Sequence, residues 1–304
     1  MTITPLPTPD TDDHDDGFSA CVMVFNSNDP SGAAGLAADL LTIASVGTHA
    51  LPVMTGAYVR DTAETQHHFA LDDETVTEQA RVMLEDVAVQ AIKVGFVGSP
   101  ENLSAIAQLA SDYADVPLLT YMPDLSWWRE DLIDMYQDAC RELLLPQTTV
   151  LVGNHSTLSR WLLPDWSAER SPSALDIARA ANDCGVAFTL VTGIPVGDQH
   201  IENTLCSPTA VLCTLTYERI AALFTGAGET LSAAIAALIA NETGLTEAAA
   251  EALSYLDRCL ASGFRPGMGN AIPDRLFWAQ GKNDEDEDED LESSFEISPH
   301  GTRH

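Results

Sequence analysis

Short, continuously apolar runs alternate along the chain with longer stretches whose apolar positions recur at helical spacing. The runs are CVMVF (21–25), AIKVGFV (91–97), PLLTYM (117–122), TTVLVG (148–153), AFTLVTG (187–193) and RIAALF (219–224). Being apolar throughout rather than alternating, they predict strands buried on both faces of a sheet. Helical patterns fill 34–46, 73–88, 99–113, 129–145, 172–184, 228–240 and 245–262. Strands separated by that much chain need crossover helices, so the sheet is expected to be mainly parallel and covered on both sides. No linker rich in Pro and Gly interrupts 18–280, which predicts one large α/β domain there. No internal repeat is visible.

The two ends are different material. Residues 8–17 carry five Asp among Thr, Pro and His, and 281–304 hold nine acidic groups beginning GKNDEDEDED. Runs of like charge cannot collapse onto a core, so 1–17 and 281–304 are expected to be disordered and solvated. Between them, 18–281 hold 32 acidic and 12 basic side chains, a net charge of −20, within a whole chain of 304 residues at −32. Lys93 is the one lysine of this body, beside eleven arginines. Such a balance argues against nucleic-acid binding, which needs clustered Lys and Arg. It suits a protein kept soluble in a salty, halophilic cytoplasm, where the Debye length falls to about 3 Å at 1 M salt. An ordinary acidic cytosolic protein has the same composition. No apolar run reaches the roughly 20 residues of a membrane helix, and the acidic N-terminus lacks the apolar core of a signal peptide. Six scattered cysteines with no C-x-x-C pair read as reduced core thiols of a cytoplasmic protein.

In a parallel sheet, ligands gather where strand ends lead into helix N-termini. Two glycine-rich junctions have that composition. The first, N-S-N-D-P-S-G-A-A-G (26–35), follows CVMVF; Pro30, Gly32 and Gly35 shape a tight turn that holds Asp29 at the sheet edge. The second, T-G-A-G-E-T-L-S (225–232), follows RIAALF; Gly226, Ala227 and Gly228 leave backbone N–H groups uncovered at a helix start, a ready anion site. Glu229 falls in that first turn, where an acid offsets the helix dipole by about 0.3–1 kcal/mol without any chemical role.

Taken together the junctions are more specific. D-P-S-G-A-A-G-L-A-A-D-L (29–40) resembles the D-P-S-G-G-A-G-x-x-A-D-L signature of the hydroxymethylpyrimidine/phosphomethylpyrimidine kinases, members of the ribokinase-like superfamily. In family order, A-I-K-V-G-F-V (91–97), L-L-L-P-Q-T-T-V-L-V-G-N (143–154), G-A-G-E-T-L-S-A-A-I-A-A-L-I-A (226–240) and G-M-G-N-A-I-P-D-R-L-F (267–277) are similar to further family segments. The resemblance implies a three-layer α/β/α kinase fold, a homodimer, and two successive phosphorylations with ATP and Mg2+ in thiamine synthesis. The first falls on the hydroxymethyl group of hydroxymethylpyrimidine, the second on its monophosphate. It further implies that Gly226 and Gly228 stabilise the transferring phosphoryl and that Asp29 orients its loop over the pyrimidine. Asn154 and Lys93 stand on family positions, and Asn154, Thr192 and Gly193 fall on the nucleotide side.

The departures fall on the chemistry. Glu229 stands where the family has a reactive cysteine and where more distant relatives place an aspartate base; a glutamate can take that proton, although its extra methylene moves the carboxylate. Arg60, in place of a glutamine that reads the pyrimidine edge, only donates hydrogen bonds; it can pair with Asp29 or Glu229, or bind a substrate phosphate. Thr192 replaces a lysine beside the nucleotide phosphates, Thr157 a glutamate that supports magnesium, and Thr120 an aspartate, with Asp124 four residues on. His67, His68 and His155 have no partner at metal-ligand spacing and read as solvated or core histidines. Trp127 and Trp128 read as packing or interface aromatics. Three functions fit: a pyrimidine kinase with a carboxylate base, a pyridoxal-type kinase, and a ribokinase-fold binding protein for a pyrimidine or vitamin precursor. The first is expected.

Overall fold

The computed structural model describes residues 19–279, so the acidic ends expected at 1–17 and 281–304 lie outside the described residues. Strands β1 (Cys21–Asn28), β2 (His49–Arg60), β3 (Thr65–Ala70), β4 (Ala91–Val94), β5 (Leu118–Met122), β6 (Val150–Asn154), β7 (Phe188–Val196), β8 (His200–Cys206) and β9 (Val211–Glu218) form one sheet. Its order is β3-β2-β1-β4-β5-β6-β7-β8-β9. The inner pairs are parallel, and antiparallel pairing appears where β3 joins β2 and where β8 and β9 follow β7. The expected mainly parallel sheet is therefore present.

Helices α1 (Gly35–Ser45), α7 (Ala227–Ala240) and α8 (Leu245–Ala261) cover one face. Helices α2 (Asp73–Asp86), α3 (Pro100–Asp112), α4 (Glu130–Ala139), α5 (His155–Leu162) and α6 (Ala174–Asp183) cover the other. The pleat divides β1 between them: Met23 and Phe25 enter the core with Val76, Leu103 and Ile177, whereas Val22 and Val24 pack with Ile43, Leu231 and Leu253. Both faces are sealed, as the continuous apolar runs require. Helix starts are marked in the sequence: Asp72 accepts from Thr75 N at 2.8 Å, Ser99 from Asn102 N at 3.1 Å, and Ser173 forms a capping box with Asp176. Each such cap contributes about 1 kcal/mol.

Three sequence expectations need correction. RIAALF (219–224) is not a strand: its residues form a loop in which Phe224 makes an isolated bridge to Ala271. The last strand lies earlier, at β9, so the second glycine junction is entered from that loop rather than from a strand. The helix expected over 129–145 is α4 continued by a π turn (Cys140–Leu144) and a 3-10 turn (Leu145–Gln147). Pro146 lacks the N–H that an unbroken α-helix needs there.

Candidate active site

The first glycine loop leaves the carboxyl end of β1 and turns back into α1. Asp29 shapes it from inside. Its Oδ1 accepts from Ser31 N (2.8 Å) and Ser31 Oγ (2.7 Å), its Oδ2 from Ala34 N (2.9 Å), and its carbonyl oxygen from Gly32 N (3.1 Å). Gly35, at φ +60°, lies so close to the Ser27 carbonyl that a Cβ would overlap it. Arg60, from the end of β2, brings Nη1 to 3.6 Å from Asp29 Oδ2, with the aspartate side chain wholly buried. Of the partners open to Arg60 in the sequence, it is Asp29 that it faces.

The second junction meets the first. Gly226 caps α7 at φ +89° and abuts the Ala33 carbonyl and the Arg275 guanidinium, so that no side chain fits there. Arg275 is buried and ties the two loops together: Nε donates to Thr230 Oγ1 at 3.0 Å, Nη1 to Gly32 O at 3.3 Å and Nη2 to Ala33 O at 2.5 Å. Thr230 Oγ1 in turn donates to Gly226 O at 2.8 Å. Burial raises the Glu229 carboxyl above its ordinary value; Lys93 opposes that shift and Asp39 adds to it. Lys93 and Asp39 form a fully buried ion pair at 2.5 Å, and Asn26 Nδ2 donates to Asp39 Oδ2 at 2.8 Å. The one lysine of the body is thus held in an ion pair, with Asp39 as its partner.

Two cavities flank the first turn of α7. One, of about 440 Å³, is lined by Tyr58, Arg60, Tyr121, Trp127, Gly226 and Glu229. The other, of about 380 Å³, is lined by Asn154, Thr192, Gly193, Tyr217 and Gly228 among others. Of the residues expected at the substrate, Arg60 lines the first cavity while Asp29 and Gly32 lie in the loop and line neither; Asn154, Thr192 and Gly193, expected at the nucleotide, line the second. Asn154 caps α5, accepting from Ser156 N at 3.0 Å, and Gly193 N donates to Asn203 Oδ1 at 3.0 Å. Gly193 has φ +67° and leaves no room for a Cβ beside the Asn154 amide. Thr192 Oγ1 donates to Gly153 O at 3.3 Å.

Thr120 and Asp124 both hold structural contacts. Thr120 Oγ1 shares a hydrogen bond of 2.8 Å with Thr148 Oγ1, and Thr157 is buried on α5. Asp124 lines the larger cavity yet pairs with Arg160 at 3.2 Å. Among the described residues no three His, Cys, Asp or Glu side chains converge as metal ligands. His68 sits between β1 and the aromatic cluster, its Nε2 at 2.7 Å from Ser27 Oγ, and burial lowers its pKa to about 4. It is a part-buried histidine whose lowered pKa favours the neutral form. His155 lies 2.7 Å from Pro172 O.

Sequence reasoning missed Arg275, Tyr121, Tyr58 and Asp39, and read Trp127 as a packing or interface aromatic. Trp127 does pack, on Tyr58 at 5.8 Å and Phe96 at 5.6 Å between ring centroids, and it also walls the larger cavity. Arg275 lies within the closing motif 267–277, where an arginine among apolar and small residues was an available signal.

Similar proteins bear on this geometry. Hydroxymethylpyrimidine/phosphomethylpyrimidine kinase of Streptomyces coelicolor is 27% identical over 266 residues, covering 86% of this chain and 96% of its own. The Escherichia coli protein of that name is 28% identical over 254 residues, covering 82% and 94%. Pyridoxal kinase of Bacillus subtilis, solved as an ADP complex, matches with a TM-score of 0.78 at 20% identity, covering 87% of this chain and 100% of the other; the likeness shows the shared ribokinase-like fold. The phosphomethylpyrimidine kinase family model matches residues 29–274, the span from Asp29 through both glycine loops to the residue before Arg275, and the chain belongs to that family.

Proposed function

We propose that the protein transfers the terminal phosphoryl group of ATP to the hydroxymethyl group of hydroxymethylpyrimidine, and then to the resulting monophosphate, in thiamine biosynthesis. The observation that carries this reading is the meeting of two cavities at one helix start, with Gly226 and Glu229 on one side and Gly228 on the other. Phosphoryl transfer asks mainly for positioning and for donors aimed at developing charge. The uncovered N–H groups of the first turn of α7 supply such donors. Glu229 accepts the hydroxymethyl proton; its raised pKa brings it nearer the operating pH, as a general base requires. Tyr58 and Trp127 give the heteroaromatic ring an aromatic wall, and Arg60, steadied by Asp29, offers donors to the ring edge or to the monophosphate. Asn154, Thr192 and Gly193 contact the nucleotide.

The family also uses Mg2+. Thr120 and Thr157 stand at carboxylate positions of the family pattern; neither is a carboxylate, and the Thr120 hydroxyl is bonded to Thr148, so they do not make a protein cage for it. The ion would come with the nucleotide phosphates, which is its common mode of binding. The reading also carries a homodimer in the cytoplasm; six free thiols support that location, and gel filtration tests the dimer.

A second reading, a binding protein without turnover, is favoured by Thr192, whose hydroxyl serves Gly153 where relatives carry a lysine. One assay decides: MgATP turnover with hydroxymethylpyrimidine, its monophosphate and pyridoxal, at low salt and in about 1 M KCl, where the Debye length is about 3 Å. Phosphorylated pyrimidine is the expected product. Preference for pyridoxal would move the substrate class, and silence at both salts with a ligand-raised melting temperature would leave a binding protein.

A further inference from the structure

Tyr121, at the carboxyl end of β5, lines the larger cavity and packs against Gly228, a residue that lines the smaller one. Its hydroxyl and ring edge lie against Gly228, so closely that a Cβ on that glycine would overlap them. The ring also lines the larger cavity beside Glu229 and Gly226, and Lys93 Nζ stands 6.0 Å from its centroid. The hydroxyl forms no hydrogen bond among the described residues. An uncommitted phenol at the positive end of a helix, on the wall of the larger cavity, is an unspent donor where negative charge must pass.

We infer that the Tyr121 hydroxyl is a catalytic group that donates a hydrogen bond to the phosphoryl group as it crosses from nucleotide to alcohol. The inference rests on the kinase reading above. In the step, the hydroxymethyl oxygen forms the new P–O bond and the bond from phosphorus to the bridging oxygen of ADP breaks. The hydroxymethyl proton passes to the Glu229 carboxylate, and ADP leaves. Tyr121 keeps its own proton and shares it with a non-bridging phosphoryl oxygen, assisting the backbone N–H groups of α7. Burial, and the nearby Glu229, Asp124 and Asp39 carboxylates, hold the phenol well above its ordinary pKa, so it is a donor at every working pH. A neutral donor there takes up part of the work that a lysine does in relatives, at the position where this chain has Thr192.

Tyr121→Phe keeps the ring as a wall and deletes the donor. Loss of one such donor lowers kcat by about 10²-fold, and here both KM values and the melting temperature should stay close to wild type. The affinity for ADP with aluminium fluoride, which mimics the phosphoryl in transit, should fall by the same factor while that for ADP alone holds. Unchanged kcat would make the ring a wall and overturn the inference, and a faster enzyme would make it an obstruction. A lower melting temperature with KM and kcat shifted together would make Tyr121 structural. Wild-type protein that phosphorylates none of the three substrates would instead sink the kinase reading itself, and this role with it.

Discussion

Lys93→Met tests how the centre of the molecule is held. Lys93 Nζ meets Asp39 Oδ1 at 2.5 Å with both side chains fully buried, and Asn26 Nδ2 satisfies the other carboxylate oxygen. Methionine keeps the length of the side chain and removes the charge, leaving a buried carboxylate with a single amide donor. Breaking a buried pair from one side costs about 3–5 kcal/mol. At roughly 2–4 °C per kcal/mol for a large domain, the melting midpoint should fall by about 6–20 °C. The loss comes from the stranded Asp39 charge rather than from missing attraction, so the double variant Lys93→Met/Asp39→Leu should recover most of it. Thermal unfolding followed by circular dichroism at one salt concentration reads both. A single variant within about 1 kcal/mol of wild type, or a double variant no more stable than the single, would refute the reasoning. The kinetics carry a second reading of the same pair. Lys93 is the main group that holds the Glu229 carboxyl down against burial, so its removal should push the acid limb of the kcat–pH profile to higher pH.

Glu229→Gln should lower kcat by about 10²–10⁴-fold, the worth of a positioned base, and kcat that survives would end that role. The same variant should melt higher than wild type at neutral pH. Because the folded pKa of Glu229 is raised, its favourable contribution is present below the unfolded value near 4.5 and is lost as pH rises through the folded one. For wild type, kcat should climb with pH through that raised value, and an acid limb at or below 4.5 would contradict it. Arg275→Lys keeps the charge but loses the fork onto Gly32 O and Ala33 O; KM for the pyrimidine should rise about tenfold, close to one hydrogen bond's worth. Free guanidinium should restore Arg275→Ala in part. Gly226→Ala forces a side chain into the left-handed region, at about 1–2 kcal/mol, and drives a methyl into Ala33 O. It should lose both stability and turnover, and a fully active variant would show that the two loops need not touch.

The buried strands were legible because sheet centres are apolar on both faces, and β1, β4, β5, β6 and β7 all lie within the runs that predicted them or overlap them. The strands that escaped are the outer ones. β3 reads TQHHFA, and β9 reads VLCTLTYE with alternate residues exposed, so neither is a continuous apolar run. Strands with one solvated face show a period of two instead. β2 escaped although it pairs with β1, since Pro52 and Gly56 interrupt its apolar residues. RIAALF failed for the opposite reason: it is apolar because its loop walls the smaller cavity, with Ile220, Ala222, Leu223 and Phe224 all lining it. Both glycine loops were legible because close approach and positive φ leave few residue types possible, as at Gly35 and Gly226. Tyr121 and Arg275 were not, since no local pattern tells which distant backbone a side chain will meet. Arg60 was half legible: its charge was evident, whereas the 3.6 Å approach to Asp29 is a tertiary fact.

A kinase on a body of net charge −20 must admit a polyanion, and the cations near its path are largely committed. Arg60 faces Asp29, Lys93 is spent on Asp39, and Arg275 is spent on two carbonyls and a hydroxyl. Arg219, exposed on the wall of the smaller cavity, has no carboxylate within ion-pair distance among the described residues. On the proposed reading, what faces the transferring phosphoryl is then chiefly neutral: the N–H groups of α7 and the Tyr121 hydroxyl. Dipoles fixed in a water-poor site are little affected by salt, whereas long-range repulsion of ATP by the acidic surface is screened within about 10 Å at 0.1 M and about 3 Å at 1 M. Salt should therefore act on the two kinetic constants unequally. KM for ATP should fall several-fold between 0.1 M and 1 M KCl as the repulsion is screened, while kcat stays nearly flat. A kcat that collapses in salt would mean that exposed ion pairs carry the transfer step, and neutral donors would not be its basis. A KM for ATP that rises with salt would mean that attraction through Arg219 outweighs the repulsion of the body. Removing Arg219 (Arg219→Gln) would then flatten the curve. If repulsion by the body dominates instead, the same variant raises KM at low salt and matters little at high salt.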